Sequence, residues 1–141
     1  MAAARKFRAV NALAGTAPVF RAVAATVVPE AAALDAGGWA EIDATVQRAL
    51  AGRPPALRRQ LRLLLRMVQW LPVARFGRRF TALDPDRRTQ VLAALQDAPV
   101  LLLRRGVWGL RTLALMGYYA RPQAAAAIGY RADPRGWGAR R

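Results

Sequence analysis

Between Leu57 and Leu71, the residues Leu57, Leu61, Leu64, Leu65, Val68 and Leu71 recur every three or four positions, while Arg58, Arg62, Arg66 and Gln69 occupy the other face. That spacing builds one apolar side of an α-helix; a half-buried strand needs alternation at every second residue. No segment of the chain shows such alternation over a useful length. Proline and glycine cut the rest into pieces of helical length. Thr16 or Pro18 opens the segment FRAVAATVVPE, and Pro29 ends it because proline has no N–H to continue the ladder. The DAGG of Asp35 to Gly38 is expected to turn, and Ile42, Val46, Ala49 and Leu50 then mark a helix from Trp39 that Gly52 ends. Pro54 and Pro55 suit the start of the Leu57 stripe, and the stretch PVARFGRRF after Leu71 is expected to be a connector. Asp84 has the chemistry of an N-cap, with Pro85 at the first helical position and Leu92 and Leu95 facing a core. Beyond Pro99 an apolar segment runs from Val100 to Tyr119, and a short helix, PQAAAAIG, is ended by Gly129. The expected fold class is all-α, a compact single-domain bundle of about five to seven helices. Residues 1–17 form a basic arm, 18–133 the helical domain and 134–141 a basic tail.

Composition narrows the chemistry. The chain has no cysteine and no histidine. It therefore lacks a thiol nucleophile, a thiolate metal site, and the commonest general base and metal ligand near neutral pH. The closest carboxylates, Glu41 with Asp43 and Asp84 with Asp86, are two positions apart and do not share a helix face. No catalytic, cofactor-binding or metal-ligating residues are expected in this chain. The net charge of +15 points to an acidic partner, although Lys6 is the only lysine, a bias that fits an arginine-rich coding background as well as a selected site.

The N-terminal MAAARKFRAVNALAG carries cations before a weakly apolar run, but Asn11, Gly15 and Pro18 interrupt that run. An ordinary basic arm fits better than a secretory core. The segment from Val100 to Tyr119 approaches the length of a membrane span, yet it holds Arg104, Arg105 and Arg111. Three central arginines cost on the order of 8–10 kcal/mol on insertion scales, so a buried core helix is expected instead.

Four segments then stand in a telling order. VAATVVPE is a helix running into a proline, and GWAEIDATVQRAL is a helix with Asp43 near its start. RRFTALDPDRRTQVLAAL places Phe80, Leu83, Pro85 and Arg88 in sequence, and GYYARPQAAAAIGY closes the series. In this order and spacing the chain resembles the gluconate 2-dehydrogenase subunit 3 family, small subunits that accompany flavin-dependent oxidoreductases of the glucose–methanol–choline type. The resemblance covers roughly Pro18 to Asp133 and rests on the series, not on any single motif. It implies a non-catalytic accessory subunit that binds and stabilises a large subunit, with FAD held by that partner and not by this chain. Exported members carry a twin-arginine signal for the pair; here Arg5 is followed by Lys6 and Phe7. A cytoplasmic location is expected on that ground, with the periplasm as the alternative for an exported complex.

The residues expected to meet the partner are Trp108, Arg111, Tyr118, Tyr119, Pro122, Gly129 and Tyr130. All three tyrosines of the chain lie in the last motif. Gly117 there permits a close helix approach, Pro122 restarts a slim alanine helix, and Gly129 can cap it and turn Tyr130 back toward Tyr118 and Tyr119. Tyrosine offers large area with few rotatable bonds and one polar tip, as interfaces favour. An internal helix-turn-helix corner accounts for the same residues. Arg104, Arg105 and Arg111 either lie on the solvent side of their helix or pair with acidic groups of a partner. Trp70, Trp108 and Phe76 read as core or interface anchors. The competing function is a small basic helical nucleic-acid-binding protein, supported by charge but short of base-reading Asn and Gln on its basic stripe.

Overall fold

The computed structural model describes residues 13 and 15–127, and every regular element among them is helical. Helix α1 is Ala17–Val27, followed by a 3₁₀ turn at Pro29–Ala33. Helices α2 (Ala36–Ala51) and α3 (Pro55–Phe76) come next, then a second 3₁₀ turn at Phe80–Ala82. Helices α4 (Pro85–Gln96), α5 (Leu101–Tyr119) and α6 (Pro122–Ala127) complete the order. The expected all-α bundle is the fold found.

Helix α5 is the hub, packing against α1, α2, α3, α4 and α6. Its core face is narrow: Val107, Leu110, Ala114 and Gly117 are buried. Around it close Phe20 and Val23 of α1, Ile42 and Val46 of α2, Leu65 and Val68 of α3, and Leu92 and Leu95 of α4. The expected core helix is buried along this one face only, and of the two readings of its arginines the solvent-side one is found. Leu102 is 69% and Trp108 66% exposed, and Arg104, Arg105 and Arg111 all lie on the solvent side. Arg104 and Arg111, seven apart, mark one exposed face, and Trp108 lies between them on it despite its apolar ring. Among the described residues, no helix is long and apolar enough to cross a membrane.

Two other boundaries move. Asp35 accepts a hydrogen bond from the Gly38 N–H at 2.8 Å and caps α2, so the expected DAGG turn is the first helical turn itself. Gly38 sits close to Leu34, where an added Cβ would lie 3.0 Å from Leu34 Cδ2. Helix α3 runs through Pro72 instead of ending before it. Pro72 is buried and Phe76 packs on the core beside it, while Leu71, expected in the apolar stripe, is 49% exposed. Burial on that side offsets the lost backbone bond that an internal proline costs. Gly77, at φ 69°, then closes the helix in the left-handed region, its N–H reaching Val73 O at 3.0 Å. Asp84 does cap α4 as the sequence predicts, accepting from the Arg87 N–H at 2.8 Å.

Candidate partner-docking surface

The Phe–Leu–Pro–Arg motif turns out to be a structural joint. Phe80 is fully buried and Leu83 nearly so, in the 3₁₀ turn that links α3 to α4. Arg88 reaches back from α4, donating from Nε to Phe80 O at 3.2 Å and from Nη2 to Thr81 O at 2.7 Å. From the other side, Gln69 of α3 donates to Thr81 Oγ1 at 3.0 Å and accepts from the Thr81 N–H at 3.1 Å. The turn's Thr81 N–H and carbonyl are thereby satisfied, and the Phe80 carbonyl, which also accepts from the Leu83 N–H at 3.1 Å, gains a second partner.

The tyrosine corner is also tied inward. Gly117 lets α5 cross α2 closely, since a Cβ there would stand 2.9 Å from Ile42 Cγ2. Tyr118 packs on the core and meets the half-buried Tyr119 edge to face, ring centres 5.0 Å apart. Arg121, with only 11% of its side chain exposed, lies over the Tyr118 ring and bonds Glu41 of α2 at 3.2 Å. Pro122 is exposed at the start of α6. Gly129 and Tyr130 lie outside the described residues. Trp108 and Arg111 are exposed on the outer side of α5, Trp108 about 15 Å along the helix from Tyr118. Arg111 borders a shallow cleft of 210 Å³ between α1, α4 and α5 with Thr26, Thr89 and Gln96. The described candidates therefore fall into two groups, a corner and an outer ridge, and do not meet at one point.

A larger feature lies where the sequence reading placed nothing. Between α3 and α5 runs an apolar groove of 360 Å³, walled by Leu57, Leu61 and Leu64 on one side and Leu102 and Leu103 on the other. Gly106 and Gly109 line it from α5; Leu64 fills the space over Gly106, and the floor is bare at Gly109. At Gly106 the two helices are so close that a Cβ would meet Leu64 Cδ2 at 2.6 Å. At Gly109 a Cβ would meet nothing within 4 Å. Leu63, 61% exposed, extends the apolar surface outward from the groove. Gly106 and Gly109, three apart, show in the sequence as a slim face of α5, but not what that face lies against.

Among the described residues, no three His, Cys, Asp or Glu gather where they could hold a metal. No buried side-chain nitrogen or oxygen among them is left without a hydrogen-bond partner, so no polar group is held poised inside the bundle. The prominent surface feature is apolar, shaped to take carbon.

The model of the family described as gluconate 2-dehydrogenase subunit 3 matches residues 14–134. No curated protein and no solved structure matches the chain.

Proposed function

Since the chain belongs to the gluconate 2-dehydrogenase subunit 3 family, we propose that it is a non-catalytic accessory subunit that binds and stabilises an FAD-dependent oxidoreductase of the glucose–methanol–choline type. The family's description is that of one subunit of a dehydrogenase, which implies a complex. The observation that carries the reading is the surplus of exposed apolar side chains on α3 and α5, with Leu63, Trp70, Leu102 and Trp108 each more than half exposed. A small bundle with its own closed core does not need these side chains, and Leu63 and Leu102 border one apolar groove, the kind of exposed apolar surface that marks an interaction site.

The division of labour follows from side-chain chemistry. Flavin oxidation of an alcohol or sugar needs a base to accept the hydroxyl proton and a cradle for the dinucleotide. This chain has no histidine or cysteine and shows no glycine-rich phosphate loop between a strand and a helix. Its part is to cover apolar surface of the large subunit, which keeps the flavin and the substrate site. The nucleic-acid reading has the net charge behind it and no element arranged to read bases.

The test is spectroscopic. The purified single chain is expected to show no flavin absorbance and no dehydrogenase activity with sugars or alcohols. Flavin bound to it in stoichiometric amount would overturn the accessory role.

A further inference from the structure

The charges beside the α3–α5 groove are one-sided. Helix α3 carries Arg58, Arg59, Arg62, Arg66 and Arg75, helix α5 carries Arg104, Arg105 and Arg111, and neither contains an aspartate or glutamate. The carboxylates of the described residues lie on other elements, where Asp43 and Glu41 pair with Arg21 and Arg121, and Asp84 with Arg87. Arg105, three after Leu102, lines the groove, and on α3 the exposed Arg59 and Arg66 stand just outside it, four before and three after Leu63. Those positions are neighbours on a helix surface, so each apolar lip has exposed guanidinium beside it.

We propose that this groove seats an amphipathic helix of the large subunit, apolar on the face turned inward and acidic along its flanks. The proposal rests on the accessory-subunit reading above and adds the surface and the chemistry of its occupant. Three features select that occupant. The wall from Leu57 to Met67 is about 15 Å long, the length of roughly three helical turns, which would present apolar residues at i, i+3 or i+4, and i+7. The bare floor at Gly109 admits a side chain from outside at a point where the bundle supplies none. The arginine lips favour carboxylates at the flanks, and guanidinium pairs with carboxylate in a two-pronged geometry. A second copy of this chain would bring the same arginine-bearing helices, like charge against like. A flat bilayer surface would meet the lips and leave the recessed floor unfilled.

The glycine offers a clean experiment. Gly109→Leu fills the groove from its floor while its Cβ meets nothing of the fold, and it replaces a helix-weakening residue. The full-length chain is co-expressed with the candidate flavoprotein large subunit, and affinity is measured on the purified partners alongside thermal melts of the small chain. Gly109→Leu is expected to weaken association about tenfold or more with an undiminished melting temperature. The double variant Arg59→Glu with Arg105→Glu is expected to weaken it too and to flatten its dependence on salt. If the wild-type complex forms and Gly109→Leu binds equally well, the groove proposal falls and the accessory role stands. If the wild-type chain forms no complex, both fall. Flotation of the wild-type chain with phosphatidylglycerol vesicles, abolished by the double variant Leu63→Glu with Leu102→Glu, would assign the groove to a lipid surface and overturn the proposal.

Discussion

Replacing Phe80 by alanine is expected to destabilise the bundle by about 3–5 kcal/mol, the usual cost of removing a buried aromatic side chain from a core that relaxes only partly. Phe80 is fully buried, and its ring lies beneath the Arg88 guanidinium at 5.7 Å. Its turn is held by hydrogen bonds from both α3 and α4, so the surrounding backbone is poorly placed to collapse into the void. Against a total stability of about 5–15 kcal/mol, such a loss brings the chain close to unfolding at physiological temperature. Urea titration checks it: the midpoint falls while the slope stays constant. The same truncation at Trp70, 59% exposed with Arg79 over its ring at 5.7 Å, is expected to cost about 1 kcal/mol or less. Equal losses at the two sites would contradict the placement of the motif's phenylalanine in the core.

Gly117→Val is expected to cost about 2–3 kcal/mol, toward the upper end for forcing volume into a packed interior. A Cβ at Gly117 lies 2.9 Å from Ile42 Cγ2 and 3.6 Å from the Ile42 carbonyl oxygen. Ile42 is fully buried, and a β-branched residue in a helix has one strongly preferred rotamer, so it has little room to yield. The two helices must separate, and Arg121 then loses its hold on Glu41 across the same joint. Gly109 of the same helix provides the internal control. Alanine there meets nothing and is expected to stabilise by about 0.5–1 kcal/mol through reduced backbone entropy of the unfolded chain. Paired thermal melts decide the matter, and opposite signs for the two glycines are the expected result.

What the sequence made legible was what local chemistry writes. The stripe from Leu61 to Val68, the Asp84 cap with its following proline, and the stop at Pro29 depend on residues within a few positions of one another, and each appears as expected. Where local signals conflicted, tertiary burial decided. Pro72 reads as a helix end but lies inside α3 because its ring is covered, and the glycines after Asp35 read as a turn but follow a cap. The groove was beyond reach for a different reason. It exists between two helices with another helix, α4, between them in sequence, and no local pattern records which faces of α3 and α5 end up adjacent. The tyrosine motif shows the reverse case, a cluster conspicuous in sequence whose described members mostly bind the protein to itself.

The proposed role is that this bundle lends surface to a flavoenzyme and performs no oxidation of its own. Size-exclusion chromatography of the full chain co-expressed with the candidate large subunit, followed at both the protein and the flavin absorbance, tests that most directly. The expected result is a single peak containing both chains, with the flavin and the dehydrogenase activity retained by the large subunit and its soluble yield falling when the small chain is left out. A small chain that elutes apart from the flavoprotein, while the large subunit folds and works undiminished without it, would contradict the account.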